Sequence, residues 1–566
     1  MKYKLSFFIL PVTGPFFNQN LSPPPPLHIF TEQLAHPRCY TPTSYLLIPH
    51  HKLIKKARRL LVKNAILKGT ILLTITGLIT RILGFYYRIC LADALGAEYL
   101  GIYQLVFPVY GICYTLYASG IQTAVSKLVA EENSRGNVTL TSCLMRRSMM
   151  LSFGIALTLS VLVYFGAAPC ARYFLMEVRA TDSLRILSLV FPFCAITACI
   201  NGYYIGCKQT AVPAFTQLFE QIIRIALVLY LVTIPAFSNE ESRCLAAVIG
   251  LVMGEVASTI FNCIAYRRQR TKLLVHVSSC ETEGLTRRLL ALSMPLSLNR
   301  LIINILHSIE AVFIPGMLRL SGLSTSEALS QYGILNGMAI PFILFPSAIP
   351  NALSVLLLPA VSENLDAKNK PRLEQCVKNA VKYSIIIGLF STAVFFYFGR
   401  DIGFAVYHNQ SAGDYIRTLS LLCPLLYLST TLGSVLNGFG KPLLSFFTTV
   451  SGLLVRLLII VCFVPKTGLF GILIGLLVSQ LVSTLFDTLL VLKHCNAFPP
   501  VSEWLVLPVL FAFVPAQCFV LLYRYLKTAT ALSSVLLLFI ILGLFCTVYI
   551  ALLYCSKVIR KEDWKE

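Results

Sequence analysis

The chain has 566 residues, of which 56% are hydrophobic and 13% charged, with a formal net charge of +22. Soluble domains carry about 25% charged residues, so this composition excludes a protein with a water-facing surface all round. The charge is no argument for nucleic acid, because Lys and Arg fall mostly in short loops between apolar blocks, as the positive-inside rule requires of membrane proteins. The 18 cysteines are scattered without a C-x-x-C pair, which excludes a disulfide framework and a metal site of ordinary ligand spacing.

Residues 1–64 stand apart from the rest. They hold Ser22-Pro23-Pro24-Pro25-Pro26 and a basic run from Lys52 to Arg59. The apolar stretch Leu5–Phe17 is short, is broken by Pro11 and Pro15, and is followed by no convincing small-residue cleavage site. The segment reads as a Pro-rich, disordered or loosely membrane-associated extension.

Beyond it, mostly apolar blocks of ~20 residues recur, the length needed to span a bilayer. They predict fourteen spans at 66–92, 100–123, 147–168, 183–206, 213–234, 243–265, 287–313, 328–358, 380–398, 415–437, 443–463, 468–492, 503–525 and 531–554. The block 328–358 carries Pro341, Pro346 and Pro350 and reads as one bent helix. Alternate loops hold the bases: Lys127, Arg135, Arg146 and Arg147; Lys208; Arg267, Arg268, Arg287 and Arg288; Lys368, Lys370 and Arg372; Lys441; Lys493; and the 557–566 tail. The intervening loops hold Asp93, Glu98, Glu177, Asp182, Glu240, Glu241, Asp401 and Asp414. This asymmetry puts both termini in the cytoplasm.

The chain also echoes itself at an offset near 230. Asn201-Gly202 with Lys208 is answered by Asn437-Gly438 with Lys441, and the lone intramembrane Arg224 by Arg456. Ile121-Gln122-Thr123-Ala124-Val125-Ser126, followed by Glu131, is answered by Ile349-Pro350-Asn351-Ala352-Leu353-Ser354, followed by Glu363. The expected architecture is an all-α integral membrane protein with two six-helix lobes, 65–270 and 285–495, two further helices within 500–556 and a tail at 557–566. Six is even, so the repeats are parallel, an arrangement used by transporters.

Ionisable groups inside spans are rare and usually functional. Arg81 and Arg88 are seven apart and share one helix face with Thr74, Gly77 and Gly84. Two guanidiniums on such a face can grip a pyrophosphate, or Arg88 can snorkel to an interface. Arg300, Asn304, His307 and Glu310 form the densest polar stripe and read as cavity lining. Glu220 and Arg224 stand in the favourable order for an intrahelical pair, which serves structure as readily as substrate. Glu255 and Asp487 are single acids, each able to bind a coupling proton or cation or to pair with a neighbouring helix. Arg456 is assigned to lobe packing. No hydrolase, metalloprotease or nucleotide-binding motif occurs, and no loop is long enough for a catalytic domain, so the expectation is a non-enzyme without cofactor or metal.

Several stretches resemble the stage V sporulation protein B family. They are Leu67-Lys68-Gly69-Thr70, Thr80-Arg81-Ile82-Leu83-Gly84-Phe85 with Arg88, Gly96-Ala97-Glu98, Gly101-Ile102-Tyr103, Val125–Glu131, Gly202–Gln209 with Glu220, Gln221 and Arg224, and Gln331-Tyr332-Gly333. The resemblance runs from about residue 65 to about 500. That family belongs with the polysaccharide exporters and lipid II flippases of the multidrug/oligosaccharidyl-lipid/polysaccharide superfamily. The resemblance implies a MATE-like fold of fourteen helices working by alternating access in the bacterial cytoplasmic membrane. It implies an undecaprenyl-pyrophosphate-linked saccharide as substrate, such as the peptidoglycan precursor lipid II, a setting in spore cortex synthesis, and a proton or Na+ as coupling ion. In related lipid II flippases the first-helix motif ends in Arg-Asp; here Arg88 matches the Arg, and Ile89 stands where the Asp would be. Two alternatives stay open: a cation-coupled multidrug exporter of the same superfamily, whose cavity should favour acids over arginines, and a non-transporting membrane scaffold.

Overall fold

The computed structural model describes residues 50–272, 283–366, 369–495, 502–529 and 533–559. The chain divides into two units, Met1–Val62 and Lys63–Glu566. Of the first unit only the helical residues from His50 are described. Helices are the only regular structure among the described residues. That suits lipid, where a helix pairs its backbone groups within one segment.

Helix α1 (His50–Tyr114) breaks at Gly96, whose φ of 68° a glycine adopts at little cost. A wide π-type turn at Thr115–Ser119 leads into α2 (Gly120–Ser134). Then come α3 (Val138–Phe165), the short α4 (Ala167–Pro169), α5 (Thr181–Ser188), α6 (Phe191–Gly206), α7 (Ala211–Val232) and α8 (Glu240–Lys272). The second half opens with α9 (Glu283–Leu320) and α10 (Thr325–Gly333), the latter started by a capping box between Ser324 and Glu327. It continues through another π-type turn (Ile334–Ala339), α11 (Ile340–Leu344), α12 (Ala348–Asp366), α13 (Lys370–Tyr407), α14 (Gln410–Leu419), α15 (Leu422–Gly438), α16 (Pro442–Thr467) and α17 (Leu469–Leu492). Helices α18 (Leu507–Ala529) and α19 (Ser534–Cys555) pack on each other and on α13, where Tyr549 stacks on Phe390 and donates to the Ile386 carbonyl.

Among the described residues, 11 helices are long and apolar enough to cross a membrane, or up to 13 if α5–α6 and α14–α15, bent by 48° and 54°, each count as one span. The chain is a multi-pass membrane protein. The count treats Ile75–Ser134 as one stretch of 60 residues. At 1.5 Å per residue that is about 90 Å, some three times the hydrocarbon thickness, so the Gly96 break matters.

Two expectations are corrected. The extension does not stay irregular to residue 64, because α1 begins at His50. Beyond Pro49 the run Lys52–Leu61 is built of good helix formers. Residues 1–49 lie outside the described residues. The block 328–358 is not one bent helix. It is interrupted at Phe345–Ser347, where Pro346 has no amide to give and the amides of Phe345, Ser347 and Ala348 each turn back three residues.

Contacts in the first half recur 232 positions later. A Cβ on Gly206 would lie 2.6 Å from the Ser126 carbonyl oxygen and 2.9 Å from Val129 Cβ; one on Gly438 would lie 3.2 Å from the Leu358 oxygen and 2.9 Å from Val361 Cβ. Ser160 Oγ donates to the Ser188 carbonyl (2.7 Å), as Thr392 Oγ1 does to Ser420 (3.0 Å). Packing follows suit: α6 lies on α2, α3 and α8, and α15 lies on α12, α13 and α17. The halves meet at Gly101 and Gly333, also 232 apart. A Cβ on Gly101 would press on the Leu329 carbonyl and the Gly333 amide, and one on Gly333 on the Ala97 carbonyl and the Gly101 amide.

Candidate functional site

On a helix of 100° per residue, Arg300, Asn304 and Ser308 drift to one side while His307 and Glu310 drift to the other. The structure divides the expected polar stripe in this way. Arg300 Nη1 donates to Ser119 Oγ (2.6 Å) and to the Ser119 carbonyl (3.0 Å). Asn304 Nδ2 donates to Thr115 Oγ1 (2.5 Å) and the Gly111 carbonyl (3.3 Å), and Ser308 Oγ to the Pro108 carbonyl (3.2 Å). The π-type turn at Thr115–Ser119 displaces the backbone ladder there, and α9 supplies donors to it. Thus Arg300 serves a seam between the halves and borders neither cavity described below.

The same seam continues toward the basic end. Ser293 and Ser297 sit against Gly120, and Arg288 bridges Glu131 (2.7 Å) and Glu132 (2.9 Å). Glu132 is buried and also receives Arg135 and Asn137. Arg288→Ala removes a charge-assisted partner of this buried acid. It is expected to cost about 1–3 kcal/mol and to lower the melting temperature of purified protein; Arg288→Lys should recover part of it. An unchanged melting temperature for the alanine variant would show the bridge to be idle.

His307 and Glu310 face a cavity of about 340 Å³ with Tyr332, Asn336, Arg456 and Gln480 among its walls and leucines for most of the rest. Arg456 Nη1 reaches both Glu310 oxygens (3.0 and 3.3 Å), its Nε donates to Ser479 Oγ (2.9 Å), and His307 Nδ1 lies 3.3 Å from Glu310 Oε2. A neighbouring cavity of about 260 Å³, bordered by Gln104, Phe107 and Asn304, shares His307, Tyr332 and Asn336 with the first. Sequence reasoning missed the place of Arg456. The available signal was that an intramembrane Arg needs an acid, and Glu310 stood without one.

Arg81 and Arg88 border neither cavity. Both are exposed, and neither makes a hydrogen bond or ion pair to a described residue. The Arg88 charge acts on the hydroxyls of Tyr103 and Tyr407, which come from the two halves. One turn away, Phe85 packs edge-on against Phe342 (4.6 Å) and lies near Phe345 (5.2 Å), so this part of α1 lies against the second half. On its other side Gly84 approaches Gln221. The space beside Gly77 is open.

Glu220 and Arg224 form the expected intrahelical ion pair. Glu255 is buried beside Cys194 and Thr197 and makes no ion pair among the described residues. Asp487, also buried, accepts from Ser429 Oγ (2.8 Å) and Thr448 Oγ1 (2.7 Å), joining α15, α16 and α17. Polar bonds of this kind hold helices together in lipid.

An all-helical membrane chain with buried ionisable groups facing cavities has the build of a transporter. The chain matches the polysaccharide biosynthesis protein family over residues 66–365 and the MatE family over 302–462. It belongs to the polysaccharide biosynthesis protein family. Stage V sporulation protein B of Bacillus subtilis (strain 168) is 29% identical over 417 residues, covering 73% of this chain and 80% of that protein. Among solved structures, lipid II flippase MurJ in an inward closed conformation superposes with a TM-score of 0.64 at 16% identity, over 87% of this chain and all of that one. A multidrug resistance MATE family transporter in its inward-facing conformation gives 0.60 at 17% identity, over 74% and 96%. At these identities the two structures establish the fold.

Proposed function

We propose that this protein is a flippase that carries an undecaprenyl-pyrophosphate-linked saccharide, a peptidoglycan precursor of the lipid II kind, across the cytoplasmic membrane by alternating access. The observation that carries the reading is Arg88: a guanidinium at the meeting of the two halves, without a protein partner among the described residues, and so available to an anion. Pyrophosphate is the feature of such substrates that most needs fixed positive charge. The likeness to stage V sporulation protein B supports a setting in sporulation.

The contacts that recur 232 positions apart support two lobes, 65–270 and 285–495, rocking about their shared seam, with the two last helices outside the repeat. Both termini and the loops around Lys127, Arg268 and Lys370 lie in the cytoplasm on this reading. A reporter joined after Lys557 is expected to report the inner side; an outer-side signal would overturn the orientation.

The test of function is rescue of a lipid II flippase depletion, with flipping of labelled lipid II measured directly. Rescue with flipping supports the reading. Expression without either overturns it. A second reading, a cation-coupled multidrug exporter, is favoured by the MatE match and by the buried acids Glu255 and Asp487. It predicts ion-dependent efflux of cationic dyes without rescue.

A further inference from the structure

Among the described residues Arg456 is the one guanidinium that borders the larger cavity, and it is neutralised there by Glu310. His307 stands on the other side of the same carboxylate. One acid is shared by two bases, one permanently charged and one able to gain or lose a proton. We infer that His307, Glu310 and Arg456 form a second anion site, operated by a proton: protonated His307 takes the Glu310 carboxylate and leaves the Arg456 guanidinium free to hold a phosphate-type anion in the cavity. The identity of that anion as the substrate pyrophosphate rests on the flippase reading; the proton-operated site itself does not.

The geometry suits the exchange. Arg456 touches both Glu310 oxygens through one nitrogen, Nη1, while Nε is held by Ser479. The guanidinium therefore keeps an anchor when the carboxylate swings away. The His307 side chain is 50% exposed, against 10% for Glu310 and 16% for Arg456, so the histidine can exchange protons with water while the pair is sheltered. Glu310 is three residues from His307 on the same helix, the spacing at which helical side chains meet.

Few other charges face the site. On α9 there is Arg300, two turns away and bound to Ser119; on α10 there is the Tyr332 phenol; on α16 there is Arg456 itself. Gln104 of α1, Ser479 and Gln480 of α17 and the leucines of α14 and α15 carry no charge. The acids of α2 meet α9 at Arg288, about 28 Å away along the helix. The sign is then fixed. With a proton on His307, Glu310 turns to it and anion binding strengthens; with the proton gone, Glu310 returns to Arg456.

The experiment uses the full chain in lipid nanodiscs and inorganic pyrophosphate as probe, measured by titration calorimetry at pH 5.5 and 7.5. Arg88→Ala is the parent, so that the α1 cation does not contribute. The parent is expected to bind about tenfold more tightly at pH 5.5. Added Glu310→Gln should bind tightly at both pH values, added His307→Gln weakly at both, and added Arg456→Gln should lose binding. The probe's own titration is common to all variants and cancels between them. His307 is half-exposed, so its variant is the one safest for folding, and monodispersity on a sizing column checks each. If the parent binds no pyrophosphate at either pH, or if Glu310→Gln keeps the parental ratio, the proton-operated site is wrong. Either result leaves lipid II flipping by the wild-type chain to be judged separately.

Discussion

Gly333→Ala is expected to leave far less protein in the membrane than wild type, and Gly101→Ala to do the same. At both positions the added methyl group meets backbone atoms of the opposite half: the Leu329 carbonyl and Gly333 amide in one case, the Ala97 carbonyl and Gly101 amide in the other. No rotamer can relieve that, because the clashing atom is Cβ itself. Overpacking of a close-packed interior costs about 1–3 kcal/mol even where side chains can yield, and here helices must separate. Gly543→Ala is the control, since nothing lies within 4 Å of its would-be Cβ; in a helix that exchange is neutral or favourable by up to about 1 kcal/mol. Quantitative blotting of membranes together with thermal melting reads both. Wild-type abundance and melting for Gly333→Ala would mean that the halves do not meet there.

Arg88→Ala is expected to reduce flipping by about ten- to a hundredfold, the equivalent of one or two charge-assisted hydrogen bonds to the substrate. Arg88→Lys should fall between, since an ammonium keeps the charge and loses the bidentate fork. Abundance should not change in either. The guanidinium has no bonded partner among the described residues, so its loss strands nothing. Arg300→Ala provides the contrast. It removes two bonds to Ser119 in the seam and should lower abundance along with transport. Normal flipping by Arg88→Ala at normal abundance would leave Arg88 as a snorkelling residue and remove the carrier of the flippase reading.

The elements were legible because lipid imposes a simple rule. Each apolar block of spanning length must be a helix, and among the described residues the expected spans fall mostly on helix, with breaks inside 183–206, 328–358 and 415–437. The interruption at Phe345–Ser347 was not, because proline in a spanning segment bends one helix and stops another, and the outcome depends on what packs beside it. The polar stripe of α9 was found as a set, yet periodicity alone could not say that 300, 304 and 308 would bond to α1 and the turn after it while 307 and 310 faced the larger cavity. That division depends on carbonyls displaced by the turn at Thr115–Ser119, for which the sequence offers no recognisable signature. Arg456 ties α16 to α9 within its own half, in keeping with a packing role, but that its partner would be Glu310 at a cavity wall was not legible, because its counterpart Arg224 is paired within its own helix.

The mutual contact of Gly101 and Gly333 is the kind made at the axis of a symmetric dimer, where one patch meets its own copy. Two separate copies of a half-length chain would have to place every side chain twice, and any charge set beside that axis would face its duplicate. Covalent continuity lifts this constraint. The chain can carry Glu310 on α9 and Leu78 at the matching position of α1, and can tie Arg456 across helices while Arg224 is tied along one. Fusion thereby separates the chemistry of two geometrically equivalent places, so that a charge added on one side need not be repaid by an identical charge on the other.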